Sequence, residues 1–231
     1  MISFSSAQPI IRRKQEALDY QDRQGLWQFE LAVRDRTLLS KFYTRIDQVF
    51  VIWGLISATI FFTAQFAPIS WISQAIFWSV LTIIGTVSMT ALTHFWVKVE
   101  RLRWVLYAWI ILMLAGVVVT DLGIFLGLGT ILMYLCHLWL ALCAVGYFFT
   151  GWGLRSRALT ISGIIHLLGI LALPYCMGWQ FFATGIIMTV SLLVFAETQW
   201  DMRSPIDNYA LLSEAQQEFN RQQYLIRKAE G

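Results

Sequence analysis

Val49-Phe-Val-Ile-Trp-Gly-Leu-Ile-Ser-Ala-Thr-Ile-Phe-Phe-Thr-Ala-Gln-Phe66 contains no Lys, Arg, Asp or Glu. A helix rises about 1.5 Å per residue, so roughly 20 apolar residues cross the ~30 Å hydrocarbon core of a bilayer. This stretch has the length and character of one such crossing. Working outward, five more apolar stretches follow, at Trp71 to Val97, Arg103 to Thr120, Leu128 to Thr150, Ala158 to Leu173 and Trp179 to Ala196. The composition agrees: 58% hydrophobic and 13% charged residues, against about a quarter charged in a soluble domain, with a mean hydropathy of +0.61.

In lipid the backbone amides must pair internally, which leaves helix as the conformation of these stretches. A strand barrel is excluded because the stretches are continuously apolar rather than alternating. Turn residues punctuate them: Pro68 closes the first bend, Gly123, Gly127 and Gly129 loosen the second, and Pro174 with Gly178 form the third. None of these three bends contains Lys or Arg. The other connections do, with Lys98, Arg101 and Arg103 in one and Arg155 and Arg157 in the next.

Eight basic residues precede the first stretch and four follow the last. Moving Lys or Arg to a helix centre costs about 2.5 to 3.5 kcal/mol each on insertion scales, so short basic loops stay cytoplasmic. An odd number of spans would strand Arg203, Arg221, Arg227 and Lys228 on the far side. The chain therefore reads as an all-α integral membrane protein with six transmembrane helices and both termini cytoplasmic. Bacterial inner membrane and thylakoid both satisfy that orientation. Trp71, Trp96, Trp104, Trp152, Trp179 and Trp200 fall near the span ends, where amphipathic rings favour the interface.

Three segments result: a cytoplasmic amphipathic helical segment at 1–48, the bundle at 49–196 and a cytoplasmic amphipathic helix at 197–231. The first opens without a basic start or a short apolar run, so no cleaved signal peptide is expected. It divides at Gly25 into two helical patterns, the second placing Trp27, Leu31, Leu38, Phe42 and Ile46 along one stripe. After the last span, Ser204, Pro205 and Asp207 resemble a helix start, and Leu212, Ala215, Phe219 and Ile226 then share a face. Charge is nearly balanced in both segments, which argues against nucleic acid as a partner. The expected partners are the lipid bilayer and a membrane protein or a second copy.

Arg101-Leu-Arg103 and Arg155-Ser-Arg157 each open a hairpin, 54 residues apart, a hint of the helix duplication common in transporters.

The chain has three histidines, and polar groups within a span call for a partner. His137 is nine residues from Leu128 and His166 eight from Pro174, which predicts similar depths of roughly 12 to 14 Å. Gly163 and Gly169 flank His166, leaving a surface bare enough for a flat macrocycle. Haem or chlorophyll with His166 as axial ligand, and His137 as second ligand or hydrogen-bond partner, is the cofactor such a surface would suit. The alternative is close helix packing, with each His bonded across a contact. His94 lies near the inner end of its span, and Glu197 at the inner end of the last; both are candidate polar or gating positions. Asp121 is assigned to the second outer bend.

Cys136, Cys143 and Cys176 form neither a disulfide framework nor a four-ligand zinc site. Phosphate-cradling, zinc-protease and serine-hydrolase motifs are missing. Three functional readings follow. A non-enzymatic accessory, assembly or scaffold subunit is suggested by the shortage of deep charges and the two terminal segments. A small-solute transporter or channel is suggested by the repeat and by Thr82, Thr86, Ser88, Thr90 and Thr93 on one span. The third reading is a tetrapyrrole protein built on His166.

Overall fold

The computed structural model describes residues 9–33, 36–203 and 211–230. Six helices are long and apolar enough to cross a membrane, as expected of an integral membrane protein. They are α2 (Arg45–Phe66), α3 (Trp71–Val99), α4 (Arg103–Phe125), α6 (Leu135–Leu154), α7 (Arg157–Ala172, continued by a 3-10 turn at Leu173–Tyr175) and α8 (Gln180–Glu197). A short helix, α5 (Gly129–Met133), precedes α6. Gly127 adopts a left-handed φ of 64°, and the break at Tyr134 makes α6 start later than the apolar pattern alone suggests. Hairpins α3–α4 and α6–α7 pack side by side, and α2 lies along α8.

α2 begins at Arg45 because Thr44 caps it. Asp47 N–H donates to Thr44 Oγ1 at 3.2 Å while the Asp47 carboxylate accepts from Thr44 N–H at 2.8 Å, a reciprocal capping box. Ser70 and Ser156 cap α3 and α7 through the same hydroxyl-to-backbone bond.

The two basic turns are built alike. Arg101 and Arg155 both take left-handed backbones, with φ of 55° and 51°. The next residue then donates back to the helix, Leu102 N–H to Val97 O at 2.8 Å and Ser156 N–H to Gly151 O at 2.9 Å. This is the Schellman closure of a helix C-terminus, repeated at the 54-residue spacing of the two Arg-x-Arg sequences.

The second helix of the N-terminal segment, expected after Gly25 from Trp27, Leu31, Leu38, Phe42 and Ile46, is not formed. Trp27–Val33 (β2) and Arg36–Tyr43 (β3) form an antiparallel hairpin, and Ile46 belongs to α2. In Trp27-Gln-Phe-Glu-Leu-Ala-Val33 the large apolar residues recur at every second position, a strand period that the helical spacing of five selected residues obscured. Before the hairpin lie β1 (Ile11–Arg12), paired with β4 (Gln199–Trp200), and one helical turn, α1 (Tyr20–Arg23). The C-terminal helix α9 runs Glu214–Glu230, capped by Ser213, whose Oγ accepts from Gln216 N–H at 3.4 Å. Leu212 is buried and Phe219 half-buried, whereas Ala215 and Ile226 stay exposed. The start expected at Ser204 to Asp207 lies outside the described residues.

Both terminal segments are bound to the basic end of the bundle. Trp96 Nε1–H donates to Asp22 at 2.8 Å, Arg227 pairs with Asp19 at 2.8 Å, and Arg157 pairs with Asp201 at 2.8 Å. Trp71, Trp104, Trp152 and Trp179 are exposed near span ends, as interfacial rings should be. Trp96 is instead buried and Trp200 half-buried, turned inward to hold this cap.

Candidate functional site: a cavity within the bundle

All spans contribute to one central cavity of about 110 Å³. Its wall is almost entirely apolar and includes Phe61 and Trp53 of α2, Met113 of α4 and Met188 of α8. A second space of about 90 Å³ shares Phe50, Met89, Trp109, Thr150 and Leu159 with it and extends toward the basic end. A third shares Ile46, Trp96 and Trp200 with the second and reaches Lys14 and Asp22 beneath the terminal cap. The three form a series from mid-bundle to the cap.

The wall is held open by aromatic side chains fixed at their polar ends. Trp109 Nε1–H donates to Thr150 Oγ1 at 2.9 Å and its ring meets Tyr147 edge-on at 5.6 Å. Trp139 Nε1–H donates to Thr120 Oγ1 at 3.2 Å. Buried indole N–H groups normally find such partners. Gly146 makes room for Trp109: a Cβ there would lie 2.5 Å from the ring.

His166 belongs to this cavity and is wholly buried. Its ring stacks obliquely on Tyr147 at 4.9 Å, and its Nδ1 lies 2.8 Å from Ser162 O. His137 does not join it. Its ring meets Tyr134 at 5.2 Å, near the start of α6, and about 15 Å of helix separates its level from that of Tyr147. The equal depths expected of the two imidazoles are therefore not found, because the break at Tyr134 moves His137 toward the far end. His94 is exposed and lines none of these spaces.

A tetrapyrrole does not fit the surface beside His166. A Cβ at Gly163 would lie 2.8 Å from the Phe148 ring, and one at Gly169 would lie 2.7 Å from Ile187. The glycines admit neighbouring side chains rather than a macrocycle, which is the close-packing role of small residues in membranes. Among the described residues no group of three or more His, Cys, Asp or Glu is placed to hold a metal ion.

The four threonines of the α3 hydroxyl stripe are turned onto their own backbone. Thr82 donates to Trp78 O, Thr86 to Thr82 O, Thr90 to Thr86 O and Thr93 to Met89 O, each at 2.8 Å. Their hydrogens are therefore committed within the helix. Asp121 lies within α4 rather than in the bend, accepting from Ser79 Oγ at 2.9 Å. Glu197 accepts from Lys41 Nζ and Tyr43 Oη, tying the hairpin to the end of α8. Sequence reasoning missed Trp53, Tyr147 and Trp109 as cavity residues. The signal was faint, since a Trp inside a span rather than at its end is set apart only by position.

No protein-family model matches the chain, and no curated protein or solved structure matches it either.

Proposed function

We propose that this is a non-enzymatic membrane protein, both termini cytoplasmic, whose bundle binds a lipophilic small molecule and hands it on, the carrier reading of the sequence narrowed to apolar cargo. One observation carries the reading: a central cavity walled by all six spans, almost entirely apolar, and continued by two further spaces to the basic end. Ions or sugars need a line of free hydrogen-bonding groups to replace their water. The α3 threonines, each donating back to its own helix, do not supply it.

The test is native mass spectrometry of protein released from its membrane in detergent. Wild type should retain one apolar small molecule per chain. Ser57→Phe and Thr82→Phe, which fill the cavity, should lose it while keeping the wild-type unfolding temperature. Vesicles carrying the protein should stay impermeable to ions and sugars. Equal retention by wild type and a folded, filled variant would sink the reading.

The scaffold reading keeps one observation of its own. Most of the terminal chain is bound to the bundle, but Trp27 and Phe29 of β2 are 53% and 55% exposed. Crosslinking from position 29 to a distinct membrane protein or a second copy, with an empty cavity, would favour it.

A further inference from the structure

Two residues that line the central cavity each carry a buried polar atom without a partner, and the two atoms are opposite in kind. Ser162 O only accepts, so the hydrogen between it and His166 Nδ1 sits on the ring nitrogen. In the neutral ring Nε2 is then an acceptor. That atom is buried and makes no hydrogen bond. Across the bundle Trp53 lines the same cavity, and its buried Nε1–H, which only donates, is also unmatched. Trp78, Trp96, Trp109 and Trp139 all have acceptors for their indole N–H, so Trp53 departs from the pattern of its neighbours.

Folded proteins seldom leave a buried donor and a buried acceptor unmade. We infer that the ligand of this cavity is a lipophile carrying a hydroxyl group, which accepts from Trp53 Nε1–H and donates to His166 Nε2. A hydroxyl does both with one oxygen. A ketone or ether oxygen accepts only and leaves His166 unmet, and a hydrocarbon meets neither atom. A carboxylate or ammonium would bring an unpaired charge into an apolar wall. The hydroxyl thus lies at mid-bundle, and the apolar chain runs through the second space, about 10 Å along α2 from the level of Trp53 to that of Ile46.

This inference rests on the proposed uptake of a lipophilic molecule and adds the chemistry of its head. The test uses full-length protein with ¹⁵N-labelled histidine, whose three rings are assigned with His94→Gln and His137→Gln. The probes are 1-decanol, decane, 2-decanone and decyl methyl ether, the last three read by their ability to displace 1-decanol. 1-Decanol should shift the His166 Nε2 signal saturably, leave His94 and His137 unmoved, and bind on the order of tenfold more tightly than the other three. Trp53→Phe should abolish the advantage of ether and ketone over decane, leave the lead of alcohol over ether that His166 sets, and keep decane binding.

Equal binding of all four probes with an unmoved His166 signal would overturn the inference and leave the cavity reading standing; water would then be what meets the two atoms. An ether or ketone that still binds more tightly than decane in Trp53→Phe overturns it as well. If no probe binds saturably, both the inference and the reading beneath it fall.

Discussion

Arg203 pairs with Glu100 at the basic end of the bundle. Its Nη1 lies 3.3 Å from the carboxylate, and its Nη2 donates to the Glu100 carbonyl oxygen at 2.8 Å. The same guanidinium donates through Nε to Gly153 O at 3.1 Å. One side chain therefore clamps both basic turns, using the planar fork that suits Arg rather than Lys to this position. Burial lowers the pKa of Arg203, and the Glu100 carboxylate opposes that shift.

Arg203→Met leaves the wholly buried Glu100 without this cation. Removing one partner of a buried pair is far worse than replacing both, and the expected loss is about 3 kcal/mol. Thermal unfolding in detergent should show a lower midpoint, largely restored when Glu100→Gln is added. A single variant as stable as wild type would show that the clamp does not stabilise the bundle.

Asp22 gives the cap a pH dependence. Burial first, then the neighbouring Asp19, pushes its carboxyl up from 3.8 to about 7, with Glu100 adding and Trp96 and Arg227 opposing. A raised folded-state pKa means that the docked state holds a proton which the released segment, titrating near 4, has given up. The stabilisation is thus complete below about pH 4 and disappears as pH rises through about 7. Hydrogen exchange at residues 19–24 should accelerate beyond its intrinsic change between about pH 5 and pH 7, approaching tenfold per unit, and the excess should level off above about 7. Asp22→Asn keeps an acceptor for Trp96 and should remove that excess.

The spans were legible because hydrocarbon leaves an apolar stretch few conformations, and Arg103, Trp71 and Arg157 begin helices at or within one residue of where the apolar pattern starts. The repeat was legible as Arg-x-Arg, although its meaning, a shared left-handed turn, needed backbone angles. The hairpin was misread because five residues picked at helical spacing from Trp27 to Ile46 outweighed an unbroken two-residue alternation in β2. The site was half legible. His166 stood out as a polar group within a span, but Trp53 and Tyr147 join it through the packing of α2 and α6 on α7, which no local pattern records. The depth of His137 failed for a related reason, since counting from Leu128 assumes an unbroken helix through Tyr134.

Gly146 tests how the wall is built. Ala there would place a methyl group 2.5 Å from Trp109, forcing the ring to swing and loosening its bond to Thr150. Overpacking of this kind costs about 1 to 3 kcal/mol. Gly129→Ala meets nothing within 4 Å and should stay within about 0.5 kcal/mol of wild type. Near-UV circular dichroism should change for the first and not for the second.

The threading itself is tested with thiols already in the chain. Cys136 and Cys143 are buried within α6, while Cys176 is half-exposed between Tyr175 and Met177, which are 90% and 81% exposed. A membrane-impermeant maleimide added to intact cells should therefore label Cys176 first, and Cys176→Ser should abolish the signal. With Gln216→Cys, at a half-exposed position on α9, added to Cys176→Ser, labelling should require permeabilised membranes. The two thiols lie beyond opposite ends of α8, so an intact span must hold them in different compartments. Labelling of both from one side would leave α8 outside the bilayer, and the even number of crossings that keeps Arg203, Arg221 and Arg227 with the other cations would fail with it.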